Sequence, residues 1–492
     1  MGTSETVGTF SNSLVNAKAA ILGRVFFRKV NGVYTPMESL IPREGTFFSF
    51  LSSFQQRLMP LLPNAAPVAL DLFPGLYVGR KRKNYEQALS EYERIGFKNW
   101  HAHISMFLKY EKDIASLKPL RIPRVISPAG FVYLLLTGAY VKSVEKKIYS
   151  CINEIFGYTV VAKGINYLEL GEIISDSWHS FSNPASIDLD VEKLDQSICQ
   201  EALLWVHTII GNCFVGRERD EIMSLLRHQL NSTVKGRFDN GRVSYRVKGT
   251  LTSGQMNTSL TGVLIVVGIL YKVILSKKMK LINCGDDCAI IGDYKVMKAV
   301  APDLHERFRV FGMAVELSKV NRELEGIEFC QTHVLFDGES YRAVRNVLAV
   351  LTKDSVCIDN ITTPHKLASW AKSVGQGGLA SFGCVPVLQN FYRSLIVSHD
   401  KFVATSVLTN RQRKRMMRYE AKVIHSTAMW GKRLGYAFGP VRDLTRLSFE
   451  KAFGINAVNQ LLLESYYDNI VLDFNARACR DVLATNLSLL LN

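Results

Sequence analysis

Leu281-Ile282-Asn283-Cys284-Gly285-Asp286-Asp287-Cys288-Ala289-Ile290-Ile291-Gly292 is the stretch around which the chain is organised. Two apolar runs, too short for helices, flank a turn-forming Gly-Asp step, which is the pattern of a β-hairpin. Its tip carries two adjacent carboxylates that no neighbouring basic residue neutralises. Like charges side by side on a tight turn are costly unless water or a cation takes them up. A Gly-Asp-Asp on its own is usually a solvated surface turn. Its company in the chain gives it another meaning.

The chain has 492 residues, 47% hydrophobic and 21% charged, an ordinary globular composition. That length exceeds one compact core, so two or three subdomains are expected. A net charge of +16 and a pI near 9.3 favour a polyanionic partner, nucleic acid first and an anionic membrane surface second. Nine cysteines are scattered without a Cys-x-x-Cys pair or four ligands at zinc spacing, which predicts free thiols in a reducing compartment. No secretory signal opens the sequence. Residues 263–275, the most apolar stretch, reach about half of what a bilayer span needs. Met1-Gly2-Thr3-Ser4-Glu5-Thr6 fits the loose N-myristoylation pattern, which is short enough to arise by chance.

Along the chain, residues 1–70 mix apolar runs with five prolines and are expected to pack over a larger body. A helical spacing covers 84–95. Prolines 119, 123 and 128 then hold Lys109, Lys112, Lys118, Arg121 and Arg124 on extended backbone. Residues 129–181 read as largely helical. Period-two alternation over 186–191 predicts a strand, with Asp190 at its end and Asp195 one helical turn beyond. A helix is expected over 221–231 and a polar hairpin over 237–248. In Gly249-Thr250-Leu251-Thr252-Ser253-Gly254-Gln255-Met256-Asn257-Thr258-Ser259-Leu260, small polar residues crowd the mouth of an apolar helix. Capping explains one or two of them; a loop that hydrogen-bonds a ribose explains the rest. A helix over 294–311, a strand over 313–317, a second hairpin over 328–342 and a mostly helical remainder complete the pass. The cationic run Arg411-Gln412-Arg413-Lys414-Arg415-Met416-Met417-Arg418 reads equally as an RNA contact or a solvated helix face.

Nucleotidyl transfer needs two divalent ions roughly 3.5–4 Å apart, one activating a 3′-hydroxyl and one steadying pyrophosphate. Magnesium takes hard carboxylate oxygens and shares its shell with phosphates and water. Asp190 and Asp286 are the candidate bridging ligands and Asp287 the assisting one. Lys109, Lys112, Lys118, Arg121 and Arg124 are candidate partners of the triphosphate, and Lys319 a candidate acid for the leaving pyrophosphate. Asp195 can accept a ribose 2′-hydroxyl, oriented by Ser253, Asn257 or Thr258. A site built to bond that hydroxyl rejects the deoxy analogue, because its own polar groups would be left unpaired.

In this order, Asp190-x4-Asp195, Ser253-Gly254-x3-Thr258 and Gly285-Asp286-Asp287 resemble the palm motifs A, B and C of viral RNA-dependent RNA polymerases. Leu194-Asp195-Gln196, the 253–260 stretch, Lys163-Gly164, Pro123-Arg124-Val125-Ile126, Glu328-Phe329-Cys330-Gln331-Thr332 and Pro386-Val387-Leu388-Gln389-Asn390-Phe391-Tyr392 are similar to those of tombusvirus- and carmovirus-like positive-strand viruses. The resemblance implies an α+β right hand with a small antiparallel, RRM-like palm sheet and a helical thumb. The implied division is an N-terminal extension (1–70), fingers (71–185), palm with motif A (186–200), fingers (201–248), palm with motifs B to E (249–345), and thumb with C-terminal segment (346–492). It implies two Mg²⁺ or Mn²⁺ ions, RNA template and nascent RNA, nucleoside triphosphates and a companion viral replication protein. It places the chain in membrane-associated replication complexes of the host cytoplasm, with indirect membrane attachment. Residues 109–124 would form the motif F channel, and Phe329, Cys330 and Gln331, with Thr332, the primer grip.

One departure stands out. The family pattern has an asparagine four residues after the motif B threonine, where this chain has Gly262. Asn257 or Ser259 can stand in for it, or discrimination against deoxyribose is weaker. The long N-terminal replicase region typical of relatives is also missing or different, which bears on membrane targeting. A reverse transcriptase shares the carboxylates, but Cys284-Gly285 before the acidic pair fits the RNA polymerase better. A basic RNA-binding scaffold without activity is the non-enzymatic alternative, and the three intact acids argue against it.

Overall fold

In this computed structural model the described residues are 7–30, 32–114, 122–358, 361, 363–418 and 438–475. Lys118, Arg121 and Gly2 lie outside them. The chain is α+β, with two four-stranded sheets and many helices among the described residues.

Of the elements that position the site, after an N-terminal stretch of short strands and helices, the strands β1 (Ile104–Leu108) and β2 (Val125–Ile126) lead to the helices α1 (Phe131–Phe156) and α2 (Tyr167–His179). Asn166 caps α2, its side chain accepting from Leu168 N and Glu169 N, with Glu169 reaching back in a capping box. Strand β3 (Pro184–Val191) leads through a short turn of helix to α3 (Gln200–Gly211) and α4 (Gly216–Arg227). Next is the hairpin β4 (Asn231–Phe238) and β5 (Gly241–Lys248), then helix α5 (Thr258–Ser276). The acidic hairpin is β6 (Lys280–Asn283) and β7 (Asp287–Asp293), followed by α6 (Tyr294–Arg309) and β8 (Val315–Leu317). A last hairpin, β9 (Thr332–Phe336) and β10 (Tyr341–Arg345), precedes α7 (Pro364–Phe382) and α8 (Leu388–Thr405).

The first sheet has the order β2-β1-β4-β5, with β1 parallel to β4 and the other pairs antiparallel. The second has the order β6-β7-β3-β8, antiparallel throughout. Inward residues Ile187, Leu189, Cys288 and Ile290 face the largest core, which centres on α5. That helix is apolar and long enough to cross a membrane, but 78% of its most apolar window is buried inside the fold. Phe47, Leu51, Phe54 and Leu58 enter the same core. A separate C-terminal core joins α7 and α8, where Gly378 is required: a Cβ there would lie 2.1 Å from the Tyr392 ring.

Two expectations shift. The helix placed over 221–231 runs instead over Gly216–Arg227, and Asn231 already opens a strand. From Ser232 every second residue turns inward, so the period of two wins over helical spacing. The second hairpin begins at Thr332, because Phe329 and Thr332 exchange two backbone hydrogen bonds around Cys330 and Gln331 and close a tight turn first.

Candidate active site

The acidic turn is built by backbone geometry. Gly285 sits at φ +93°, a left-handed conformation that favours glycine, and Cys284 N donates to Asp287 O at 2.8 Å. Asn283, with no exposed surface, staples the turn from below. Its Oδ1 accepts from Gly285 N at 3.0 Å and its Nδ2 donates to Gly285 O at 2.8 Å. Nothing in the pattern of the sequence marked Asn283, although an amide ending a buried strand before a glycine is a readable signal.

Antiparallel register then sets Asp287 opposite Asp190, so their Cα atoms are about 4.5–5.5 Å apart. Val191 N donates to Asp286 O at 2.9 Å, which brings Asp286 to the same end. The side chains of Asp190 and Asp286 belong to exposed residues. Asp287 is half-buried, and its Oδ2 accepts from Cys330 N at 3.0 Å. Burial, and then the charge of Asp190, push the Asp287 carboxyl up to about 7. Burial, and then Asp286, push Asp195 up to about 7 as well. These acids repel one another, which is the electrostatic condition a cation relieves.

Among the described residues no three His, Cys, Asp or Glu side chains are already arranged around a metal position. The donors nevertheless suit a hard divalent ion, which needs only one or two protein carboxylates and fills its shell with phosphate and water.

Lys163 is the cation at this turn. Its Nζ lies 3.4 Å from where a Cβ on Gly285 would stand. The neighbouring Cys284 thiol is lowered to about 6, first by its hydrogen bond with Cys330 and, against the opposing effect of burial, by Lys163. Lys319 is not brought to the carboxylates. Strand β8 pairs Glu316 with Asp190 and runs away from the acidic end, and Ser318 N already bonds Asp188 O. Lys319 is therefore about 10 Å further along the sheet, at 3.3 Å per residue. A lysine near a strand end is visible in sequence, but the strand's direction is not.

The 253–260 loop is clamped to the basic segment. Ser253 Oγ donates to Val125 O at 3.1 Å, and Ser127 N donates to Ser253 O at 3.0 Å. Gly254 is exposed at φ +100° against Pro128. Thr258 Oγ1 donates to Gln255 O at 3.1 Å. Asn257 does not face the site: it has no exposed surface, and its amide is paired with Gln229 and bonded to Thr261. His207 extends this network through Gln229 at 3.0 Å, and burial lowers its ring to about 4, keeping it neutral. Ser259 meets the Tyr149 hydroxyl at 3.3 Å. Gly262 points at the acidic turn, where an added Cβ would stand 3.2 Å from Leu194 Cδ2 and 3.6 Å from Gly285 Cα. Asp195 has no hydrogen bond to its carboxylate among the described residues, and Gly262, in the first turns of α5, has no side chain to offer it one.

Of the predicted cations, Lys109 and Arg124 gather on Glu111, Lys109 at 3.3 Å, with Arg124 Nε donating to Glu111 Oε1 at 2.6 Å. Lys112 Nζ bonds the Lys353 carbonyl and lies 5.8 Å from the centre of the Trp370 ring. Phe329 is buried, Cys330 is half-buried and Gln331 is exposed, in the tight turn whose backbone touches Asp287.

The chain belongs to the viral RNA-dependent RNA polymerases: the family described in those words matches residues 1–475. Relatives named RNA-directed RNA polymerase include those of Oat chlorotic stunt virus, 32% identical over 94% of this chain and 62% of the relative, and Turnip crinkle virus, 31% identical over 96% and 59%. That of Tobacco necrosis virus (strain A) is 30% identical over 98% and 64%. The chain thus spans about three fifths of the length of the curated relatives it matches.

Proposed function

We propose that the chain is a template-directed RNA polymerase that adds nucleoside triphosphates to an RNA 3′-hydroxyl and releases pyrophosphate, replicating a positive-strand viral genome. The observation that carries this reading is the register placing Asp287 opposite Asp190, with Asp286 tied to the same strand end. Asp190, Asp286 and Asp287 would hold divalent ions, Mg²⁺ or Mn²⁺ and two by family analogy, which when bound lower the pKa of the attacking hydroxyl and stabilise the leaving pyrophosphate. Asp195 would accept the ribose 2′-hydroxyl. With Asn257 committed to Gln229 and glycine at position 262, neither motif B position offers Asp195 an amide, so ribose selection is expected to be looser than in a chain with asparagine there.

Within this reading the second sheet is the palm, the first sheet belongs to the fingers, and the C-terminal core is the thumb. Lys109, Lys112 and Arg124 would line the triphosphate path, and the Phe329–Thr332 turn would support the primer end. A companion viral protein and a host membrane surface complete the expected setting.

The test is synthesis on a short RNA template with labelled nucleotides and Mg²⁺, wild type beside Asp286→Ala. Product from the wild type alone, with RNA still bound by the variant, is the expected result. Product from both would put the active site elsewhere. Product from neither, with RNA bound by both, would favour an inactive scaffold.

A further inference from the structure

The first sheet has an outer face that the polymerase reading does not use. Along β4 and β5 every second residue except Thr233 is exposed, while the alternate ones, Val234, Phe238 and Val247 among them, enter the core with α1. The outward cations are Lys235, Arg237, Arg242, Arg246 and Lys248. Register places Arg237 directly across from Arg242. Cross-strand like charges are destabilising by themselves, and none of the five has an ion pair or side-chain hydrogen bond among the described residues. No acidic residue occurs in β1, β4 or β5. On the neighbouring β1, Phe107 is 47% exposed on a strand whose alternate residues are buried. A shallow depression of about 550 Å³ runs over Ser105, Lys235, Arg237, Arg242 and Ser244.

We propose that this face is a second RNA site, holding single-stranded template by its phosphates with a base stacked on Phe107. Cations two residues apart on a strand repeat every ~6.7 Å, a spacing on the scale of successive phosphates in an extended strand. An exposed aromatic beside a cationic groove is how single strands are held without sequence preference. A folded anionic protein would demand shape complementarity, which an open sheet lacks. A lipid surface would want several apolar side chains at the rim, where this face offers one. The inference rests on the polymerase reading only in calling the strand template.

The test uses the full chain with three exchanges, Arg237→Glu, Arg242→Glu and Arg246→Glu, beside a control triple with lysine at the same positions. All three sites are exposed strand positions, so melting temperatures should match the wild type. Affinity for a single-stranded RNA oligonucleotide should fall at least tenfold in the glutamate triple. The slope of log affinity against log salt should drop by about 2. The lysine triple should bind like the wild type. Extension of a short pre-annealed primer–template at saturating concentration should persist in all three proteins.

Unchanged RNA affinity and slope in the folded glutamate triple would overturn the proposal. So would unchanged RNA affinity with lost binding to phosphatidylserine-containing vesicles, which would make the face a membrane contact. Failure of the polymerase reading shows separately, as absence of extension by the wild type.

Discussion

The acidic turn and the cationic sheet face are two clusters of like charge that the fold treats in opposite ways. Asp286 and Asp287 are locked into place by Gly285, by the Asn283 amide and by Cys330 N, with Lys163 alongside. The five outward cations of the first sheet are fixed only at their Cα atoms, by strand register, and their long side chains are free to follow a ligand. One cluster is built for position and the other for attraction. Chemistry on a single bond needs the first, and holding a strand of any sequence needs the second.

That contrast can be broken most forcefully at Asn283. Asn283→Ala leaves Gly285 N and O buried without partners and should cost about 3 kcal/mol of stability. A drop in melting temperature together with lost synthesis would show that the acidic turn depends on being held; an unchanged melting temperature would mean that the turn holds itself.

Lys163 tests the electrostatic half. Lys163→Ala should lower the rate of single-nucleotide incorporation roughly 100-fold, the order seen when one preorganised donor is removed, while Lys319→Ala should stay within about twofold of the wild type. Measured side by side under single-turnover conditions, the reverse ranking would return the acid's role to Lys319.

The smallest effect is expected at Gly262. An added Cβ meets only the flexible end of Leu194 and the Gly285 backbone at ordinary contact distance, so Gly262→Asn should fold. It should raise the preference for ribo- over deoxyribonucleotides by about tenfold, the worth of one modest hydrogen bond. Competition between matched triphosphates reads this directly, and a fall or no change would show that the amide is not the missing group.

Much of this was legible in the sequence. The acidic hairpin, strand β3 ending in Asp190 and the buried helix α5 follow from period and apolar content, and the order of the acids carried the family. What stayed hidden depends on direction and distance. The loop amide Asn257 has the chemistry of a ribose ligand, yet its pairing with Gln229, 28 residues away, removes it from the site. Lys319 is close to the site along the chain but is carried away by a strand that runs the wrong way. Lys163 reaches the turn only through the path of the chain between α1 and α2. The cationic face was only half visible because the hairpin was read from Arg237 onward, which left Lys235 unassigned and gave no cross-strand register to bring Arg237 opposite Arg242.

Cys330 and Gln331 occupy consecutive left-handed conformations, φ +52° and +60°, without being glycine. Such conformations cost about 1–2 kcal/mol per residue, a burden that glycine would relieve. The same turn aims Cys330 N at Asp287. Glycine at these two positions would lift that cost and, with its wider backbone freedom, loosen the turn that presents Cys330 N. The pair trades backbone ease for a more firmly restrained carboxylate.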